Sequence, residues 1–297
     1  MTPIPPMQWI DQQLGANPFV RFEQGQGGLH RLVIDSPQAN GELYLHGGHL
    51  THWQPQNHQP VLWLSSQSRF ESNQAIRGGI PICFPWFGSH PKDTKAPSHG
   101  LARIGLWQLL AINTTADGDV VLELGFSLDT LESIYTLTIG STLTMTYWVQ
   151  NKTNQIQHCE IALHSYFQVH DIHTIEIQGL ENTDYVDKFD QLKKKNQGTK
   201  AVVLTGPTDR VYQHTQATCL LCDPGLQRQI TIEKTGTNST IVWNPWFNND
   251  QKMTDFDNDG WRTMCCIETA NVGVNALCLE PDQTHTMSTM IKVEKAF

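Results

Sequence analysis

Cys159-Glu160-Ile161-Ala162-Leu163-His164-Ser165-Tyr166-Phe167 reads with a period of two. Ile161 and Leu163 fall on one face, and Glu160, Ala162 and His164 on the other, as the pleat of a β-strand requires. Short alternating or β-branched runs recur at 29–34, 42–45, 61–64, 120–126, 142–149, 156–167, 174–177, 201–204, 218–222, 229–233, 240–243, 264–269, 276–279 and 287–293. Turn signals such as Asp117-Gly118 and Pro224-Gly225 lie between them. Almost no stretch holds a helical period over about 11 residues, so the pattern predicts an all-β fold, an antiparallel sandwich. A helix is expected only at 7–14.

A second strand carries a carboxylate in the same way. In Met264-Cys265-Cys266-Ile267-Glu268-Thr269-Ala270, Ile267 is flanked on the opposite face by Cys266, Glu268 and Ala270. His164 and Glu268 thus each project from the side with small neighbours. Taken alone, each is more often a satisfied structural residue than a catalytic one. Facing each other across a cleft, they would form an acid and base pair suited to proton transfer near neutral pH, because an unperturbed imidazole titrates near ~6.5.

The chain has 297 residues, 39% hydrophobic and only 16% charged, with 9 Trp, 6 Tyr and 11 Phe. That is ample apolar material for a core. The net charge of −9 opposes general binding to nucleic acid or to an anionic membrane. No run approaches the about 18 apolar residues of a spanning helix, and 1–14 lacks the basic and apolar regions of a signal peptide, so a cytoplasmic location is expected. No linker or fixed-period repeat divides the sequence, which predicts one domain over 1–297 with roughly the first 20 residues peripheral. Seven cysteines cannot all pair and are expected as reduced, partly buried thiols.

Several chemistries are disfavoured by inspection. There is no Gly-x-Ser-x-Gly elbow, P-loop or His-Glu-x-x-His, and the glycines around Gly25-Gln26-Gly27-Gly28 lack the rest of a dinucleotide fingerprint. Asp255-Phe256-Asp257-Asn258-Asp259-Gly260 starts like a calcium loop but has Cys266 where the bidentate Glu belongs, so an acidic surface loop is expected. His46, His49 and His52 share no face, Cys219-Leu220-Leu221-Cys222 has no second pair, and Lys193, Lys194 and Lys195 read as a solvated loop. No metal and no cofactor is expected. The segment 65–107 stands out: Arg69, Arg77, Lys92, Lys95 and Arg103 against Glu71 and Asp93, a local excess of three positive charges in an acidic protein. It is rich in Gly, Pro and aromatics, as long functional loops are.

Within that segment, Ala75-Ile76-Arg77-Gly78-Gly79-Ile80-Pro81-Ile82-Cys83-Phe84-Pro85-Trp86-Phe87-Gly88 and then Ser98-His99-Gly100-Leu101-Ala102-Arg103 resemble the hexose-6-phosphate mutarotase family, also called glucose-6-phosphate 1-epimerase. Leu163-His164-Ser165-Tyr166-Phe167, Thr208-Asp209-Arg210-Val211-Tyr212, Trp243-Asn244-Pro245-Trp246 and Cys266-Ile267-Glu268-Thr269-Ala270 follow in the family's order, so the likeness spans roughly residues 28 to 293. The resemblance implies a β-supersandwich of galactose-mutarotase type whose concave face binds a pyranose. It implies His164 as general acid, Glu268 as general base, and Arg77, His99, Arg103 and Asp209 as substrate contacts, the arginines being suited to a phosphate. The partner is then a small sugar phosphate, and the reaction needs no nucleotide, metal or covalent intermediate. For Arg77 and Arg103 the other reading is a structural ion pair, for Asp209 a turn cap, and for His99 a loop support. Leu101 replaces a frequent Phe of the family and Ser98 a longer Gln. The competing function is a non-catalytic sugar or sugar-phosphate binding protein on the same fold.

Overall fold

Along Leu131–Ile139 and Thr142–Asn151 every second residue is buried: Leu131, Ser133, Tyr135, Leu137 and Ile139 on one strand, and Leu143, Met145, Tyr147, Val149 and Asn151 on the next. Between them Thr136 lies opposite Thr146 and Thr138 opposite Thr144 on the wetter face, where β-branched cross-strand pairs fit the pleat. The computed structural model describes residues 17–247 and 253–296, and repeats this arrangement throughout. The helix expected at 7–14 lies outside the described residues.

Four sheets form among the described residues, with antiparallel pairing between all their strands. One has four strands in sequence order, Val20–Gln24, His30–Asp35, Ala39–Tyr44 and His49–Pro55. A two-stranded one joins Gln157–Cys159 to Leu277–Leu279. One eight-stranded sheet runs Glu176–Gln178, Cys219–Asp223, Arg228–Thr235, Thr284–Lys295, Thr142–Asn151, Leu131–Ile139, Val120–Ser127 and Gln108–Thr114. The other runs Lys193–Asn196, Asp184–Asp187, Thr208–Gln213, Ser239–Asn244, Met264–Asn271, Ile161–Leu163 and Ile82–Cys83, with Tyr166–Gln168 as a further partner of Met264–Asn271. Side chains of both large sheets merge in one apolar cluster that reaches from Val20 to Val293. This is the all-β antiparallel architecture the alternation predicts.

Some expected strands take another form. Residues 61–64 and 201–204 pair only through isolated bridges, Leu62 to Phe167, Leu64 to Gly78 and Val202 to Ile177. Lys193, Lys194 and Lys195, expected in a loop, form instead the edge strand Lys193–Asn196 beside Asp184–Asp187. Lysines suit an edge because their charge blocks further pairing.

All eight residues of Met264–Asn271 are buried, because both faces of this strand are covered. Ile267 and Cys265 face the main cluster. On the other face, Ala270 joins a second small cluster with Cys83, Ala162, Val211, Ile241 and Val272.

The long loop of 84–107 is tied to the core by Trp107. Its ring stacks on Phe126 at 5.1 Å and meets Tyr135 and Tyr147 edge-on, while its indole Nε1 donates to the Ala102 carbonyl at 3.0 Å, one residue before Arg103. Gly100 is required beside this turn: φ is +81°, and a Cβ would lie 2.1 Å from the Phe84 carbonyl oxygen. Trp107→Ala is therefore expected to cost about 3–5 kcal/mol, the usual loss for a buried aromatic, read as a lower urea midpoint at unchanged m-value. A loss under about 1 kcal/mol would show that the core does not hold this loop.

Candidate active site

Two short strands separated by two residues, Ile161–Leu163 and Tyr166–Gln168, pair with the same long strand in one register. Ala162 lies opposite Ala270 and Tyr166 opposite Cys266, which places His164 opposite Glu268. The His164 amide donates to the Pro81 carbonyl at 3.0 Å. Its Nε2 lies 3.4 Å from Glu268 Oε1. Both side chains are buried, at 7% and 1% exposure. His164 Nδ1 and Glu268 Oε2 have no hydrogen-bond partner in the protein, and such atoms are costly to bury unless a ligand or water meets them.

Register also decides what surrounds the pair. Glu268 is followed across the sheet by Ile241 and then Val211, and the neighbouring row is Cys266, Trp243 and Asp209. Asp209 thus lies on the same face, two strands away. Tyr166, two residues after His164, stacks on its ring at 4.7 Å and 11°. Trp243 meets both rings edge-on, at 6.0 and 5.9 Å. Loops complete the wall. His99 touches His164 edge-on at 5.7 Å and Phe87 at 4.7 Å. Its Nδ1 accepts from the Gly88 amide at 3.3 Å, which assigns the ring proton to Nε2.

The two arginines are placed differently. Arg77 grips Asp255 through Nε and Nη2 at 3.1 to 3.2 Å and donates from Nη1 to the Tyr166 hydroxyl at 3.2 Å. Its charge is already matched by a carboxylate. Arg103 donates from Nη2 to the Ser98 carbonyl at 2.7 Å, its Nε is unpartnered, and it joins no ion pair among the described residues. Ser98 is exposed and contributes this carbonyl. Leu101 packs against the main cluster.

Burial governs the titration of the pair. It pushes the Glu268 carboxyl well above the usual carboxylate range, with the Asp209 charge adding to the rise and Lys188 opposing it. It pushes His164 well below the usual imidazole value, and the Arg103 and Arg77 cations add to the fall. His99 is lowered by burial, then by Arg103 and His164. Asp209 is raised by burial, against the pull of Lys188. Both shifts disfavour the charged forms, so they weaken the preference, held in water, for a proton on the imidazole over the carboxylate.

Five of the six residues singled out in the sequence are tied to this site by contact or register, and Arg103 is near enough for its charge to lower His164. The rest of the local charge excess does not gather here: Arg69 donates to the Thr254 hydroxyl, and Lys92 and Lys95 are exposed. Four participants lay outside the expected set, Trp243 among them. Tyr166 was signalled by its place two residues after His164. Asp255, expected on an acidic surface loop, is drawn in by Arg77, and Asp257 beside it accepts from Ser66. Lys188, with Nζ 3.6 Å from Asp209 and 4.5 Å above the Phe87 ring, had no local signal. His46 and His49 are bound to the Gln74 and Gly78 carbonyls. No cluster of potential metal ligands occurs among the described residues.

The family described as aldose 1-epimerase matches residues 31–292. A protein of Escherichia coli K12 named "Putative glucose-6-phosphate 1-epimerase" is 33% identical over 249 residues, covering 82% of this chain and 83% of its own. One of the same name from Cenchrus ciliaris is 29% identical over 274 residues, covering 86% and 82%. Among solved structures, a "putative mutarotase" of Salmonella typhimurium superposes with a TM-score of 0.86 at 28% identity, over 96% of this chain and 99% of that one. A galactose mutarotase-like protein of Clostridium acetobutylicum, 13% identical over 94% and 99% of the two chains, shares the fold with a TM-score of 0.71. With this match over nearly its whole length, the chain belongs to the aldose 1-epimerase family and is an isomerase acting on a sugar.

Proposed function

We propose that the chain interconverts the α and β anomers of a hexose 6-phosphate, glucose 6-phosphate first among them, as a single cytoplasmic domain. The observation that carries the chemistry is the buried cross-strand pair of His164 and Glu268. In a cyclic hemiacetal the ring oxygen and the anomeric hydroxyl share one carbon, so an acid and a base 3.4 Å apart can serve both. Glu268 takes the hydroxyl proton, the electrons form the C1 carbonyl, the bond from C1 to the ring oxygen breaks, and His164 protonates that oxygen. After rotation about C1–C2 the freed hydroxyl attacks the other face of C1. It returns its proton to His164 while Glu268 reprotonates the carbonyl oxygen. The pair ends as it began.

The two groups share one proton and titrate as a pair, and ring opening starts from the form in which His164 carries that proton and Glu268 is ionised. His99 Nε2 and Asp209 are suited to sugar hydroxyls as donor and acceptor. Arg103 is the cation suited to a phosphate, and Arg77 positions Tyr166 while its charge stays with Asp255. Tyr166 and Trp243 offer apolar faces to the ring. Exchange NMR on glucose 6-phosphate, glucose and galactose tests the reading. Accelerated exchange favouring the phosphorylated sugar supports it, whereas binding without acceleration would identify a sugar-phosphate sensor instead.

His164→Ala and Glu268→Gln are each expected to slow exchange by at least about 100-fold, the low end for general acid and base groups, at a melting temperature close to wild type. Near wild-type exchange in either variant would remove that residue from the mechanism. Since the Asp209 charge helps raise Glu268, Asp209→Asn should lower the pKa of the base. The base works deprotonated, so the acidic limb of kcat/KM then moves to lower pH. A limb that stays in place or moves upward contradicts the electrostatic assignment.

A further inference from the structure

The charges around the cleft do not all cancel. Arg77 is held by Asp255 through two donors, so an anionic ligand would have to compete with a carboxylate already in place. Arg103 has no acidic partner among the described residues. Lys188 has one, Asp209, at 3.6 Å, beyond ordinary hydrogen-bond reach, and burial weakens that partner's hold on its charge by raising its pKa.

Lys188 sits in the turn after Asp184–Asp187, which is firmly built. Its amide donates to the Asp209 carbonyl at 2.9 Å. Asp187 Oδ1 accepts from the amides of Phe189 and Asp190 at 3.1 and 3.2 Å. The two acids nearest Lys188 in sequence are taken by the lysines of the edge strand. Lys195 bridges Asp187 and Asp190 at 2.8 Å each, and Lys193 holds Asp190 at 2.9 Å. Two lysines of the triplet, Lys193 and Lys195, which the reaction does not use, thereby keep these carboxylates away from Lys188. The Lys188 ammonium is directed instead over Phe87 at 4.5 Å, and Phe87 carries the His99 ring that touches His164.

We propose that Lys188, together with Arg103, recognises the phosphate of the substrate, and is a specificity-determining residue of the cleft. This rests on the reading of the substrate as a hexose 6-phosphate. A phosphate monoester carries about −1.5 to −2 charges at pH 7, more than one cation matches, and a lysine serves such a group as a mobile point charge beside a planar guanidinium. Asp209 is then released from Lys188 when substrate binds and is free to accept from a sugar hydroxyl.

The test compares wild type, Lys188→Met and Lys188→Arg by exchange NMR on glucose 6-phosphate and glucose, with inorganic phosphate as competing inhibitor at constant ionic strength. Lys188→Met is expected to raise KM for glucose 6-phosphate about tenfold, the size of one charge-assisted contact. The preference for the phosphorylated sugar and the affinity for inorganic phosphate should fall by a similar factor, and Lys188→Arg should recover most of both. Equal losses of kcat/KM on the two sugars with phosphate inhibition intact would overturn the proposal, leaving Lys188 as a support for Asp209. A wild type with no preference for the phosphorylated sugar would overturn the substrate reading itself, before any variant is compared. A preference that survives in Lys188→Met overturns this inference alone.

Discussion

A single strand register holds the site together. Met264–Asn271 pairs with Ile161–Leu163 and with Tyr166–Gln168 in one frame, so the two residues between those short strands stay aligned with it and His164 comes to lie opposite Glu268. A slip of Met264–Asn271 by one residue would turn Glu268 away from His164 and into the apolar cluster, where an unpaired charge is far more costly than any gain in packing. Burial on both faces of Met264–Asn271 opposes such a slip.

The same burial gives the pair its chemistry. In water an imidazole and a carboxylate differ by roughly two pKa units and would separate the proton cleanly. Beneath the loops, desolvation raises Glu268 and lowers His164, so the bare preference for a proton on the imidazole is weakened and the neighbouring charges gain influence over it. The surrounding charges then bias the site in a graded way. Asp209 strengthens the base, and Arg103, Arg77 and Lys188 strengthen the acid. The cations that would attract a sugar phosphate therefore also tune the group that protonates the ring.

Much of this was legible in the sequence because a strand has a period of two. The faces of 159–167 and 264–270 follow from alternation alone, and with them the direction of His164 and Glu268. Their opposition does not follow, since it depends on pairing between residues 104 positions apart. Roles for Arg77, His99, Arg103 and Asp209 came from motif likeness. Geometry then separates an arginine bound to Asp255 from one without an acidic partner among the described residues. Lys188 left no trace because a turn carries it in and a lone charge in a polar stretch has no periodicity, while Asp255 stood out only as part of an acidic loop with no sign of its bond to Arg77. The lysine triplet misled for a related reason: an edge strand is charged for the sake of its edge, and charge runs read as loop.

The central claim is that His164 and Glu268 act as one unit on one carbon, and combining His164→Ala with Glu268→Gln in a single chain tests it directly. Groups that act together are strongly non-additive, so exchange of glucose 6-phosphate anomers in the double variant should be no slower, within about threefold, than in the worse single variant. Losses that multiply would mean two independent contributions, and the paired mechanism would be wrong.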